Sequence, residues 1–245
     1  MKKQLSLFFC LLIFFYASFA QVNSNTVIVE NALNNLSASE NTNIYRGSGI
    51  PVFSVKEETK GSRYLFADWV SGRLVTTGGE IINHSELLYN YDKISKALLV
   101  TADKKIVIEV NKENIQSFTL ISDSAEQRFE RVNLVNLQTF VQVIVKDTAR
   151  YSLYKETKTV FLRANYNTDG IFEYGRKYDE YTDNCTYYII KNNSKDFILL
   201  ADLKPKLIKD ALLAETIKVN NYFMLHKHET INEIFLADLL HWLNQ

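Results

Sequence analysis

Cysteine is almost absent from this 245-residue chain, which contains only Cys10 and Cys185. Cys10 lies in the apolar run of an N-terminal segment typical of a signal peptide, so Cys185 would be the only cysteine of the mature protein. A single thiol excludes an intramolecular disulfide. No glycine-rich or histidine-bearing segment surrounds Cys185, so we expect a buried, inert thiol rather than a nucleophile, with pairing between chains as the alternative.

Long hydrophobic runs are absent after the N-terminus, and the one run that is present is short. Lys2 and Lys3 precede the apolar segment 5–16, and small residues end this region just before Gln21. A helix that spans a bilayer needs about 20 apolar residues. We therefore predict a signal peptide over 1–20, cleaved before Gln21, with no transmembrane segment afterwards. The expected location is the periplasm or the medium.

Charge of one sign is not in excess, because the chain has 28 Lys and Arg and 28 Asp and Glu. Removal of the segment 1–20 takes away two lysines and leaves 26 basic against 28 acidic residues, a net charge of −2. Nucleic-acid binding requires a clustered basic face. Binding to a membrane surface usually requires a basic amphipathic helix. We therefore expect no nucleic-acid partner, and no segment indicates membrane-surface binding.

Sequence motifs of catalysis and cofactor binding are missing as well. The chain contains no HExxH or paired CxxC metal motif and no GxSxG nucleophile elbow. Neither the GxGxxG nor the Walker A phosphate-binding loop is present. The sequence therefore predicts a non-enzymatic protein without a cofactor.

What the sequence does contain is a series of short segments with alternating apolar and polar residues between 62 and 200. The segment KALLVTADKKIVIEVN turns at 102–104, and VFLRANYNTDGIFEYG turns at an Asp-Gly pair within 167–170. In YLFADWVSGRLVTTGGEII we expect a strand break at 71–72 and a turn at the Gly-Gly pair 78–79. Regularly spaced hairpins predict an α+β fold that is mainly antiparallel β, either a sandwich or a partly open barrel.

The hydrophobic periodicity changes from strand-like to helical near the C-terminus. Thr230 and Glu233 match a capping box at a helix start. An apolar stripe follows at helical spacing: Ile231, Ile234, Phe235, Leu239 and Trp242. We predict a C-terminal helical segment over 202–245 that packs on a β domain over 61–201. The segment 21–60 is rich in Asn and Ser, and we predict a flexible leader with room for one short helix.

The layout of these segments resembles that of a known group of proteins. GSRYLFADWVSGRLV at 61–75 leads into LLYNYDKISKALLV and IVIEVNKENIQSFTL, and TYYIIKNNSKDFILL at 186–200 precedes INEIFLADLLHWLN at 231–244. Over about residues 61–245 the chain is similar to an uncharacterised family of exported, β-rich proteins of Bacteroidota. The resemblance implies a periplasmic or surface β domain with a helical tail. It implies no catalytic residue and no ligand.

Tyrosine is concentrated in one segment near the end of the predicted β domain. Five tyrosines fall there: Tyr174, Tyr178, Tyr181, Tyr187 and Tyr188. Aromatic side chains on a sheet can stack against sugar rings or peptide with little loss of entropy. They are also common in strands because they fit a half-buried pleated surface. The region 174–188 is therefore a candidate small-ligand or glycan-binding face, and ordinary strand packing is the alternative.

Two histidines near the C-terminus are the candidate metal ligands. His226 and His228 lie two residues apart and are followed by Glu229. Two imidazoles and a carboxylate can bind zinc if a further ligand folds against them. Polar residues also collect in linkers that precede helices, which is the simpler explanation.

Three functions follow from these observations. The first is an exported, monomeric, non-enzymatic β-domain protein that binds a partner or belongs to the cell envelope. The partner would be an envelope protein or a glycan. The second is a small-ligand or glycan binder that uses the tyrosines of 174–188. The third is a metal-dependent hydrolase built on His226, His228 and Glu229.

Overall fold

Antiparallel strands dominate the structure, a computed structural model that describes residues 59–123, 125–147, 150–192 and 194–245. The predicted signal peptide over 1–20 and almost all of the predicted leader over 21–60 lie outside these residues. The described strands are β1 Ser71–Thr76, β2 Ile81–Ile82, β3 Leu88–Asp92, β4 Ala97–Thr101, β5 Ile108–Glu109, β6 Ile115–Ile121, β7 Glu126–Val132, β8 Asn136–Val145, β9 Tyr151–Leu162, β10 Asn167–Thr168, β11 Glu173–Tyr174, β12 Glu180–Lys191 and β13 Phe197–Leu200. The α-helices are α1 Pro205–Ala211, α2 Thr216–Leu225 and α3 Glu233–Asn244.

Eight of these strands form one sheet in the order β13, β12, β9, β8, β7, β6, β1, β2, and every pairing in it is antiparallel. A separate three-stranded sheet has the order β3, β4, β5, and β10 pairs with β11 in a small hairpin. Most neighbours in the sheets are also neighbours in the chain, as hairpins require. The predicted α+β, mainly antiparallel class is confirmed, and the sheets are open rather than a closed barrel.

One row of paired residues crosses the large sheet. Its members are Ile82, Leu74, Phe118, Phe129, Gln142, Lys155, Tyr187 and Leu200. Paired residues point to the same face of a sheet. On one half of this face the Tyr91 ring of β3 stacks on Phe129 at 5.2 Å between ring centroids. On the other half, Glu233 at the start of α3 contacts both Lys155 and Tyr187. The small sheet therefore contacts the β6 and β7 end of this row, and α3 contacts the β9 and β12 end.

Helix α3 starts two residues later than the Thr230 to Glu233 capping box predicts. The Asn232 side chain accepts a hydrogen bond from the backbone N–H of Phe235 at 3.0 Å, so Asn232 is the N-cap. The buried face of α3 consists of Phe235, Leu236, Leu239, Leu240 and Leu243. Ile234, a member of the predicted stripe, is 69 % exposed. The helix packs on the sheet, but the face that it buries includes Leu236 and Leu240 and leaves out Ile234 of the predicted stripe.

The predicted break at 71–72 is wrong, because both residues lie inside strand β1. A Cβ atom at Gly72 would lie 2.9 Å from the Thr119 carbonyl oxygen of β6 and 3.0 Å from the Tyr89 ring. Gly72 is therefore a point of close approach within the sheet rather than a turn. The predicted turn at Gly78 and Gly79 is present, with Gly79 at φ +85°.

Glu156 of β9 ties the turn between β3 and β4 to the large sheet. It pairs with the Lys96 ammonium and accepts a hydrogen bond from the Tyr188 hydroxyl at 2.8 Å. Burial alone would raise the pKa of Glu156, but the contacts from Lys96 and Tyr188 outweigh it and lower the pKa. The carboxylate therefore titrates at lower pH in the folded protein than in the unfolded chain.

This shift predicts a loss of stability in acid that depends on Glu156. A lowered folded pKa contributes stability above the unfolded value of about 4.3, and the contribution disappears as the pH falls through the folded pKa. We expect the free energy of unfolding of the Glu156→Gln variant to fall less steeply between about pH 5 and pH 3 than that of the wild type. Urea denaturation across this range measures both slopes. The exposed Glu80→Gln variant is the control, and equal slopes for wild type and Glu156→Gln would contradict the assignment.

Candidate functional site

Strands β9 and β12 extend beyond the large sheet as a two-stranded ribbon. Each strand has 12 residues, and the two pair from Tyr151 with Lys191 to Leu162 with Glu180. Strand β8 pairs with β9 only as far as Lys155, and β13 pairs only with 187–190 of β12. Among the described residues, the outer halves of β9 and β12 thus pair with each other, apart from one bridge between Lys60 and Glu180. We call residues 156–186 the arm.

The end of the arm is a tight turn held by Asp169. The Asp169 carboxylate accepts the backbone N–H groups of Ile171 at 3.1 Å and Phe172 at 2.9 Å. It also accepts a hydrogen bond from the Tyr174 hydroxyl. These bonds lower the pKa of Asp169 to about 2, and the bond from Tyr174 has the largest effect on it. Gly170 has φ +92°, the left-handed region that favours glycine. The backbone of the turn is therefore pinned by its own side chains.

This pinned turn presents two large apolar side chains to solvent. Ile171 is 83 % exposed and Phe172 is 65 % exposed. Tyr174 and Tyr166 stand on the two sides of the turn, each with nearly half of its surface exposed. Single apolar residues at a surface are ordinary, but several large ones exposed on and beside one short turn are typical of an interaction site. We call Tyr166, Ile171, Phe172 and Tyr174 the apolar tip.

The shaft of the arm uses its aromatic residues to contact its own chain. The ring centroids of Phe161 and Tyr181 lie 4.8 Å apart. The Lys60 ammonium lies 3.7 Å from the centroid of the Tyr178 ring. Tyr181 and Tyr178 are both half-buried. Two of the tyrosines proposed for ligand binding therefore have partners within the protein already.

Tyr187 and Tyr188 are placed away from the tip, in the body of the protein. Both are buried, and they point to opposite faces because adjacent residues of a strand alternate. The Tyr187 hydroxyl donates to Glu233 at 3.0 Å, and the Tyr188 hydroxyl donates to Glu156. Burial raises the pKa of both hydroxyls, that of Tyr188 to about 12. The five tyrosines of 174–188 therefore do not form one face. The arm carries Tyr174, Tyr178 and Tyr181, and the sheet buries the other two.

The apolar tip includes two residues, Ile171 and Phe172, that none of the sequence motifs had indicated. Ile171 and Phe172 directly follow an Asp-Gly pair, and turn positions are usually polar or glycine. Two large apolar residues directly after the predicted turn were the available signal. Only the pairing of β9 with β12 shows how far from the sheet this turn lies.

The candidate metal ligands lie in the segment between α2 and α3. The Nδ1 atom of His226 is 2.6 Å from a carboxylate oxygen of Glu229, and the His226 ring stacks on Tyr222 with centroids 4.0 Å apart. His228 is exposed. Within the described part of the chain, no group of three His, Cys, Asp or Glu residues is arranged to hold a metal ion.

Cys185 lies in the arm near its base and is partly buried. Its Sγ atom is 3.8 Å from the hydroxyl of its cross-strand neighbour Thr157. The side chain also packs against the core under the helices. These contacts indicate that Cys185 has a packing role.

Comparisons with protein-family models, with curated proteins and with solved structures gave no match for this chain. Among the described residues, no helix combines the length and the hydrophobicity that a membrane crossing requires.

Proposed function

We propose that this protein is an exported, non-enzymatic binding protein that engages a protein of the cell envelope through the apolar tip of its arm. One observation carries the proposal: Ile171 and Phe172 are 83 % and 65 % exposed on a turn whose backbone is held by Asp169. Export is supported by the signal-peptide pattern over 1–20. The resemblance to exported proteins of Bacteroidota supports the envelope as the location.

The energetics favour a tip that becomes buried on binding. Apolar surface removed from water contributes about 25 cal/mol per Å². A turn that is already fixed by hydrogen bonds loses little conformational entropy when a partner covers it. Binding energy at interfaces is also concentrated in a few central, well-packed side chains. Ile171 and Phe172 fit this role as anchors that insert into a pocket of the partner.

A protein partner suits the tip better than a glycan does. Sugar rings stack on flat aromatic faces, whereas the most exposed residue of the tip is the aliphatic Ile171. Burial of Tyr187 and Tyr188 removes two of the five tyrosines from a glycan-binding face. Glycan binding through Tyr174, Tyr178 and Tyr181 is the alternative that the experiment below separates.

The experiment is site-specific photo-cross-linking of the exported protein in cells of its own source. A photoreactive amino acid replaces Phe172 in one variant and Ile81 in the control. Ile81 is 68 % exposed and lies on β2, at the opposite edge of the sheet from β12 and β13. We expect one discrete cross-linked protein from position 172 and none from position 81. Identical products from both positions, or no protein product from position 172, would contradict the proposal.

The partner identified in this way allows a quantitative test. The double variant Ile171→Ser, Phe172→Ser should bind the purified partner at least tenfold more weakly than wild type, since loss of one anchor commonly costs more than about 1.4 kcal/mol. The Ile81→Ser variant should bind as wild type does. If Tyr178→Ala and Tyr181→Ala weaken binding to an envelope glycan while the tip variant does not, the glycan alternative is correct.

A further inference from the structure

A groove of about 760 Å³ lies among the helices, well outside the arm. It is bounded by α1, α2, the start of α3 and the segment between α2 and α3. Its apolar lining includes Phe223, Met224, Ile231 and Phe235. Sites that bind small molecules typically have volumes of about 300–1,000 Å³ and a mostly apolar lining. We call this feature the helical groove.

Two lysines line the same groove and give it an excess of positive charge. The Lys209 ammonium lies 4.8 Å from the centroid of the Phe223 ring, so the cation sits against the apolar lining. Lys227 lines the groove as well. Neither ammonium group forms an ion pair or a hydrogen bond with a residue that the structure describes. An unpaired ammonium beside apolar surface attracts an anion.

The acidic residue of the groove does not neutralise these lysines. Glu229 lines the groove, but its carboxylate lies 2.6 Å from Nδ1 of His226. This contact fixes the carboxylate on the imidazole side of the groove. With two ammonium groups against this one carboxylate, the charged lining stays positive on balance.

We propose that the helical groove binds an amphipathic anion, a small molecule with an apolar chain or ring and one carboxylate or similar single-charged head group. The apolar lining receives the chain, and Lys209 and Lys227 receive the head group. Lysine provides a compact point charge rather than the flat fork of arginine, which suits a single anionic group. A neutral apolar ligand would leave both ammonium groups unused, and a cationic one would be repelled. This site is separate from the apolar tip, so either proposal can fail alone.

The test is isothermal titration of the mature chain, residues 21–245, with sodium decanoate below its micellar concentration. Decanol and decyltrimethylammonium are the matched neutral and cationic probes. We expect the protein to bind decanoate at least tenfold more tightly than either matched probe. The double variant Lys209→Gln, Lys227→Gln should bind decanoate at least tenfold more weakly than wild type. The control variant Lys206→Gln, Lys218→Gln changes two exposed lysines of the same helices that do not line the groove, and it should bind as wild type does.

Several outcomes would overturn this proposal. Absence of decanoate binding at millimolar concentration, equal affinity for decanol, or equal losses in the two lysine double variants would each do so. Circular dichroism of both variants shows whether they are folded, and these solvent-facing substitutions should leave the spectra unchanged. Concentration-dependent dimerisation that Met224→Asp abolishes, without any decanoate binding, would instead identify a second copy of the chain as the occupant.

Discussion

Replacing Leu236 by alanine should lower the free energy of unfolding by about 2–5 kcal/mol, the range for large-to-small substitutions in a core. Leu236 is fully buried and belongs to the core that α3 forms with the sheet. Truncation removes apolar contacts and leaves a cavity that the close-packed surroundings fill only in part. Urea denaturation, analysed by linear extrapolation, measures the change.

Ile234 provides a matched control for this experiment because it lies on the same helix, two residues away. It is 69 % exposed, so Ile234→Ala should change the stability by less than about 0.5 kcal/mol. The two variants also distinguish the buried face of α3 that the sequence predicts from the one that the structure shows. The apolar stripe taken from the sequence includes Ile234, whereas the structure buries Leu236. A larger loss for Ile234→Ala than for Leu236→Ala would refute the observed orientation of α3.

The second large effect is expected at Asp92, at the end of strand β3. Its carboxylate lies 2.5 Å from the Arg63 guanidinium, and the two side chains are only 7 % and 13 % exposed. The same carboxylate accepts the backbone N–H groups of Ile94 at 2.9 Å and Ser95 at 3.3 Å. Asp92→Ala should lower the free energy of unfolding by about 3 kcal/mol, because removal of one partner leaves the other charge in a poorly solvated position.

A double-mutant cycle separates the contribution of the Asp92–Arg63 ion pair to stability from that of the hydrogen bonds to the backbone of the turn. Asp92→Asn keeps an oxygen that can accept the N–H groups of Ile94 and Ser95 but removes the charge, so its loss should be smaller than that of Asp92→Ala. The double variant Asp92→Asn, Arg63→Met should lose less free energy of unfolding than the two single variants lose in sum, since the ion pair is then removed as a unit. Strict additivity of the two changes would show that the pair contributes no coupling.

The arm and the helical groove are different kinds of site. The apolar tip is a small convex surface that needs a pocket in its partner, and its residues come from one short turn. The groove is concave, and its residues come from three helices and the segment between the second and the third.

Periodicity was sufficient to predict the class of the fold. Alternation of apolar and polar residues reflects which side chains face the core, the turn at 78–79 marks the end of a strand, and each hairpin joins neighbours in the chain. The helical segment was also recognisable, because its apolar residues recur at helical spacing. Finer details depended on contacts with distant residues. Gly72 belongs to β1 because β6 passes close to it, and the buried face of α3 is set by its packing against strands of the large sheet.

The sequence by itself determined the antiparallel class, the order of hairpins and helices, and the scarcity of cysteine and net charge. These properties are local or compositional, so they require no knowledge of which strands meet. Only the tertiary structure decided that Tyr187 and Tyr188 are buried, that Ile171 and Phe172 stand at the end of an arm, and that Lys209 and Lys227 share one groove. Residues distant in the chain create such surroundings, and the burial and charge of a side chain depend on all of them together.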